Sequence, residues 1–348
     1  MKILVVDDSI VFRSQISASL SGVEGVQIVG TAPNGKIAIE KIKQLSVDLI
    51  TLDMEMPEMN GLETIREIKR LGIKVKIIVF SSQTIHGAEK ALKALEAGAD
   101  DVVAKPTADS LDFSKAQSMI EQSLIPRVLQ FFQAHNSSKT HSQSLPLASQ
   151  HTKKKLKFFS PKAVVIASST GGPTALESIF KNLMCSPRIP IFIVQHMPPV
   201  FTQILAKRLG EISGITVHEA THNQRVINGE VYLAPGGFHM VVKKDQNGLI
   251  IGLTEEPQRN SVRPAADYLF ETAAEIFKQD LLGVVLTGMG DDGAAGARMI
   301  HDLGGGVLIQ NKESCVVFGM PGAVILNDND DDIMDLTEIS SYLKTVIV

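Results

Sequence analysis

Ser169, His196 and the adjacent Asp291 and Asp292 carry the functional groups of acyl transfer. Ser169 ends the apolar run AVVIASS, His196 follows IPIFIVQ, and the two aspartates lie in the loop after LLGVVLTGM. A hydroxyl, an imidazole and a carboxylate supply a nucleophile, a general base and the group that orients the base. Each terminates a buried-strand pattern, so a parallel sheet would gather them at one edge. Thr170, two glycines and a proline follow Ser169. They predict a helix start whose N–H groups would stabilise an oxyanion. The G-x-S-x-G elbow is absent, so that motif gives no support for an ordinary α/β-hydrolase.

A second set lies near the N-terminus. Asp7 and Asp8 close ILVV, Asp53 closes DLITLD, Ser81 follows VKIIVF and Lys105 closes DVVAK. Three carboxylates at one edge repel each other, and hard oxygen ligands beside a phosphate suit Mg²⁺. With that charge screened, one carboxylate can attack a phosphoryl group while a hydroxyl and an ammonium hold the transferred oxygens. Helix capping by Asp8 or Asn60 would explain single members of the set. It does not explain five positions together.

Two α/β units are needed to position these residues. From Met1 to about Pro126, five β-branched runs alternate with helical patterns, which implies a parallel sheet covered on both faces. Residues 134–157 are rich in Ser, Gln, His and Lys and read as a tether, with Lys153, Lys154 and Lys155 solvated. A second α/β pattern begins near Lys162, in AVVIASS, IPIFIVQHM, GEVYLAP, LLGVVLTGM and GGVLIQN. The expected domains are 1–125 and 158–348, joined by a connecting helix end and linker over 126–157. A length of 348 residues accommodates both.

Composition excludes several classes. Cys185 and Cys315 form no C-x-x-C pattern, which argues against a disulfide framework or thiolate zinc and fits a reducing cytoplasm. A net charge of -4 gives no global field for DNA or an anionic membrane. No apolar run is long enough to cross a bilayer. Nothing in the sequence demands more than a monomer.

With these residues in place, the first third of the chain resembles a response-regulator receiver domain. DD, LDMEMPEMNG, SS and KP occur in the expected order. The resemblance implies a (βα)5 flavodoxin-like fold in which Asp53 accepts phosphate from a histidine kinase. Asp7, Asp8, Asp53 and the backbone carbonyl of Glu55 would bind Mg²⁺, Ser81 and Lys105 would contact the phosphoryl oxygens, and a cis peptide would precede Pro106. Val102 stands where many receivers carry Phe or Tyr, so a switch based on an aromatic rotamer is not expected.

Residues 162 to 345 resemble the catalytic domain of chemotaxis protein-glutamate methylesterases, through STGG, QHMP and TGMGDDGA. The receiver in front matches that family's architecture. The resemblance implies a doubly wound, mostly parallel domain that removes methyl esters from glutamate side chains of chemoreceptor cytoplasmic domains. Deamidation of receptor glutamines is a second implied activity, and no cofactor is implied for this domain. The nucleophile becomes Ser169, the base His196 and the carboxylate Asp292. Thr170 and Met289 would serve the oxyanion through their backbone, and Arg263 within SVRPAAD would line the substrate cleft. Asp291 replaces a more usual Asn. The expected regulation has the unphosphorylated receiver covering the cleft, with phosphorylation favouring an open state.

Four rival readings remain. His218-Glu219-Ala220-Thr221-His222 spells the H-E-x-x-H zinc motif, but its flanks favour strand and turn, which would set the histidines too far apart for one metal. Gly288 to Gly293 fits G-x-G-x-x-G, with Glu313 near the distance of a ribose-binding acid, yet two carboxylates in the turn would oppose a pyrophosphate. A non-catalytic regulator would leave the Ser, His and Asp motifs unexplained. A DNA-binding output lacks a basic helix-turn-helix candidate. His239 has no partner pattern and receives no role.

Overall fold

The apolar runs become central strands whose two faces are both covered. In the first unit β1 (Lys2–Val6), β2 (Gln27–Ala32), β3 (Leu49–Asp53), β4 (Lys76–Ser81) and β5 (Asp101–Ala104) alternate with five helices. These are α1 (Ile10–Ser21), α2 (Gly35–Gln44), α3 (Gly61–Arg70), α4 (Ile85–Glu96) and α5 (Phe113–Ser137). The computed structural model describes residues 1–106, 113–137, 156, 159–327 and 329–348. The chain divides into two compact units, Met1–Ser142 and Gln143–Val348.

In the first sheet the strand order is β2-β1-β3-β4-β5 and every pairing is parallel. The order reverses at β1, which opens a crevice above the carboxyl ends of β1 and β3. Ile3, Leu4 and Val5 of β1 and Leu49, Ile50 and Leu52 of β3 are fully buried, so the ends of these strands are rigidly placed. Ser9 caps α1 by accepting the Phe12 N–H, a role that does not fall to Asp8. Asn60 and Glu63 form a reciprocal capping box on α3. Helix α5 continues to Ser137, and of the remainder of the expected tether all but Leu156, including Lys153–Lys155, lies outside the described residues.

The second unit comprises β6 (Ala163–Ser168), α6 (Gly172–Leu183), β7 (Ile191–Gln195), α7 (Phe201–Ser213), β8 (Val217–Glu219) and β9 (Val231–Leu233). There follow β10 (His239–Asp245), β11 (Gly248–Thr254), α8 (Ala266–Phe277), β12 (Leu281–Val285) and α9 (Ala294–Asp302). The unit ends with β13 (Gly306–Gln310), α10 (Met320–Leu326), β14 (Asp332–Met334) and α11 (Leu336–Ile347). Seven strands pair in parallel in the order β14-β13-β12-β6-β7-β9-β8, while β10 and β11 form a separate antiparallel hairpin. Strand β6 sits in the middle with β12 on one side and β7 on the other, so the switch point lies at its end.

Helices α8 and α9 pack closely over this sheet. Phe270, Ala273 and Ala274 of α8 share a buried cluster with Val285 of β12 and Ala297 and Ile300 of α9. At Gly296 a Cβ would lie 2.3 Å from the Phe270 Cβ and 3.4 Å from the Asp267 Cα, so the approach tolerates no side chain. Gly296→Ala should therefore cost about 1–3 kcal/mol, typical of overpacking a filled core. A lowered urea midpoint would show it; an unchanged midpoint would mean that the two helices stand further apart.

Candidate active site

Ser169 and His196 leave adjacent strands at the same level. Ser168 pairs with Gln195 in the β6–β7 register, and the His196 N–H donates to the Ser168 carbonyl at 3.1 Å. The two side chains thus emerge about one strand spacing, roughly 4.8 Å, apart. Asp292 follows β12 on the far side of β6, and its Oδ2 lies 2.7 Å from His196 Nε2. The three expected residues share one edge of the sheet. Asp291 is exposed, whereas Asp292 is buried and faces the imidazole.

Asp292 is held by four donors. Oδ2 accepts from His196 and from the Ala266 N–H at 2.6 Å, while Oδ1 accepts from the Asp267 N–H at 3.2 Å and the Asn260 side-chain amide at 3.1 Å. Burial works against its charge, but His196 and the two backbone N–H groups outweigh burial and hold its carboxyl below the usual carboxylate range. An ionised carboxylate only accepts hydrogen bonds, so Nε2 carries the imidazole proton and Nδ1 is left as the basic nitrogen.

The nucleophile candidate is fixed by its neighbours. The Ser169 N–H donates to Thr287 O at 3.1 Å, and its carbonyl accepts from the Gln195 side-chain amide at 2.9 Å and the Gly172 N–H at 2.8 Å. Gln195 also accepts from the Ser168 hydroxyl at 2.7 Å, which stitches the ends of β6 and β7 together. Thr287 donates through its hydroxyl to the carbonyls of Thr170 and Val317. Gly288 is needed sterically, because a Cβ there would meet the Ser169 Cβ at 2.9 Å. Gly171 adopts φ 78° as the N-cap of α6, and no side chain caps that helix start. Thr170 is buried, and Met289 is half-buried one residue beyond Gly288.

Other expected roles meet different surroundings. Arg263 donates through Nη1 to the carbonyls of Glu255 and Glu256 at 2.9 and 3.1 Å, so it staples its own loop. His239 is fully buried, accepting the Ala265 N–H on Nδ1 at 3.0 Å and donating from Nε2 to Pro257 O at 3.1 Å. Burial first of all, and then the Arg263 charge, push its pKa down, which keeps it neutral as this pattern requires. In the zinc-like motif His218 pairs with Glu230 at 2.8 Å, Glu219 accepts from Thr202, and His222 accepts the Leu253 N–H. Its three polar members point to separate partners. The G-x-G-x-x-G turn sends Asp292 to His196, where an anion would be repelled.

Sequence reasoning missed Asn260, Asp267, Gln195 and Thr287. Asp267 is buried at the start of α8, and its Oδ1 accepts the N–H groups of Gly293 and Gly296 at the start of α9. Burial, and then repulsion by Asp292, push its pKa up. An aspartate near a helix start is a common dipole complement, so its type alone carried no signal.

The receiver unit gathers its carboxylates and Lys105 at the strand ends. Oxygens of Asp7, Asp8 and Asp53 lie within 4.8 Å of one another, and the Lys105 ammonium bridges Asp7 at 2.9 Å and Asp53 at 2.8 Å. Burial pushes the Asp53 pKa up, Lys105 opposes this, and Asp7 adds to the rise. The Ser81 hydroxyl donates to Gly87 O at 2.8 Å, turned toward α4. The Glu55 side chain pairs with Lys90 at 2.6 Å across the mouth of a cleft of about 240 Å³ that Asp53, Ser81 and Lys105 also line. Among the described residues the cis peptide precedes Pro264, and none precedes Pro106.

The fold defines two α/β units, one with a cluster of carboxylates at its strand ends and the other with a histidine–aspartate pair beside a serine. The response regulator receiver domain profile matches residues 3–113, and the CheB methylesterase profile matches residues 164–343. The protein-glutamate methylesterase/protein-glutamine glutaminase of Trichodesmium erythraeum is 40% identical over 344 residues, covering 98% of this chain and 97% of that one. The Thermotoga maritima protein of the same name is 39% identical over 354 residues, covering 100% and 98%. The crystal structure of the Thermotoga maritima CheB methylesterase catalytic domain matches with TM-score 0.52 and 44% identity, covering 54% of this chain and 100% of that one. The chain belongs to the CheB methylesterase family and carries that family's receiver domain in front. The expected fold class and hydrolase activity are borne out. Among the described residues no helix is long and apolar enough to cross a membrane.

The clustered carboxylates fit a hard divalent cation. Mg²⁺ should raise the melting temperature of the receiver unit at about pH 7, and the effect should shrink toward about pH 5. The sign follows because protons compete with the metal for Asp53, whose pKa is raised. Differential scanning calorimetry checks this, with Asp8→Asn expected to weaken the Mg²⁺ effect; an Mg²⁺ response independent of pH and of Asp8 would count against the site.

Proposed function

We propose that Ser169, His196 and Asp292 carry out the hydrolysis, as nucleophile, general base and orienting carboxylate. The observation behind this is the short His196–Asp292 hydrogen bond at the strand ends where Ser169 emerges. Ser169 Oγ attacks the glutamyl methyl ester carbonyl while His196 Nδ1 takes the hydroxyl proton. The C–O bond to methoxide then breaks, and the imidazolium returns the proton so that methanol leaves. Water repeats the sequence on the glutamyl-enzyme and releases the free carboxyl. A glutamine amide follows the same path with ammonia as the leaving group. Backbone N–H groups at Thr170 and Met289 serve the oxyanion, aided by the start of α6. Arg263 bounds the substrate cleft through the loop that it staples.

The substrate is the methylated cytoplasmic part of a chemoreceptor, and the phosphodonor is a histidine kinase. Asp7, Asp8, Asp53 and the Glu55 carbonyl would hold Mg²⁺, whose charge would offset that of the phosphoryl oxygens. Asp53 accepts the phosphoryl group. Lys105 is already poised between Asp7 and Asp53, and Ser81 reaches the phosphoryl oxygens by leaving Gly87 O.

Ser169→Ala should abolish methanol release from methylated receptor fragments with little change in melting temperature. Asp292→Asn should lower kcat roughly ten-thousandfold by removing the carboxylate that fixes the imidazole. Full activity in either variant would sink the assignment. Asp53→Asn should remove any stimulation of methanol release by a small-molecule phosphodonor; stimulation that persists would place the acceptor elsewhere.

A further inference from the structure

Asn260 stands between two buried acids. Its Nδ2 donates one hydrogen to Asp267 Oδ2 at 3.0 Å and the other to Asp292 Oδ1 at 3.1 Å. Both acids are almost fully buried. Two carboxylates this close would share a proton unless positive groups separate them, and a proton on Asp292 would remove its hold on the imidazole. The Asn260 backbone takes φ 53°, a left-handed conformation that asparagine adopts more readily than most residues. The strained turn therefore presents a two-proton donor at the point where the acids meet.

We infer that Asn260 is a positioning residue of the reaction, its amide bridging the two acids so that Asp292 stays a carboxylate turned toward His196. This rests on the proposed role of Asp292. Arg259 supports the arrangement from the same loop, 3.5 Å from Asp267 and paired with Glu271 at 2.6 Å. The other charged or titratable neighbours are His196 after β7, Asp291 before α9, Arg298 on α9 and the neutral His239 of β10. Asp292 and Asp267 are the only acids among the described residues that the Asn260 amide contacts. The raised pKa of Asp267 and the lowered pKa of Asp292 agree with a proton kept away from the catalytic side.

The test compares Asn260→Asp with Asn260→Gly in the full chain, following methanol release. Aspartate keeps the shape and tolerates the left-handed turn, so a residue that only fills space would find it the milder change. A bridging donor predicts the reverse. At about pH 8 the Asn260→Asp kcat should fall roughly ten- to a hundredfold, the scale of a hydrogen bond to a buried charge, and further than that of Asn260→Gly, with KM little changed. As pH drops toward about 6, the ratio of Asn260→Asp to wild-type activity should climb, because the third acid takes up a proton and becomes a donor. The Asn260→Gly ratio should stay flat or fall.

An Asn260→Asp enzyme milder than Asn260→Gly, with a ratio independent of pH, would overturn the inference. Should Asn260→Asp not fold, Asn260→Gly decides: an unchanged kcat overturns the inference, and a tenfold or larger fall at constant KM supports it. Activity retained by Ser169→Ala would instead indict the underlying assignment, so the two failures are separable.

Discussion

The hydrolytic unit depends on burying two carboxyl groups side by side. Each buried ion costs several kcal/mol unless its lone pairs are met by donors. Asp292 accepts the Ala266 and Asp267 N–H groups at the start of α8, and Asp267 accepts the Gly293 and Gly296 N–H groups at the start of α9. An acid within the first turn of α8 and one just before α9 therefore each satisfy the other helix's unpaired N-terminal donors. Neither helix can move without uncovering a buried charge, and the bare Gly296 surface lets the backbones come close enough for the exchange. The position of Asp292, and through it of the His196 ring, is thus set by a contact between the starts of two helices.

The receiver meets the same repulsion with a different solution. Its acids are balanced by the single Lys105 ammonium, on a flexible stem at the edge of an open cleft. Burial lowers the affinity of that ammonium for its proton, and the two carboxylates more than restore it. A side-chain cation can shift when a phosphoryl group or a metal brings new charge into the site. Backbone donors cannot, which suits a carboxylate whose charge must stay constant in the role proposed for it beside His196. The contrast follows from what each site has to accommodate.

Much of this was legible in the sequence because uninterrupted apolar runs mark strands buried on both faces, and chemistry gathers at their carboxyl ends. Asp7, Asp53, Ser169 and His196 could be placed from that rule alone. The strands that escaped notice are β14, at three residues, and the β10–β11 hairpin, which lies outside the main sheet. Asn260 escaped because a left-handed turn has no periodicity and one Asn carries no pattern. Arg263 attracted attention through its motif, yet the structure gives its Nη1 to two carbonyls of its own loop. The choice between Asp291 and Asp292 could not be made from type or spacing, since adjacent residues in a turn point to opposite environments.

The same sheet order bears on which imidazole nitrogen meets the carboxylate. His196 directly follows β7 while Asp292 lies in the loop between β12 and α9, and β6 runs between those two strands. The Asp292 carboxylate oxygen lies 2.7 Å from Nε2, so it meets the outer end of the ring. The outer nitrogen, Nε2, is the one that reaches toward the β12 side. The inner nitrogen, Nδ1, stays near the His196 main chain, which is tied to the end of β6 through Ser168 O. That is where Ser169 leaves the sheet. With β6 between β7 and β12, the carboxylate anchors Nε2, and Nδ1 is the nitrogen left for the proposed proton transfer from Ser169.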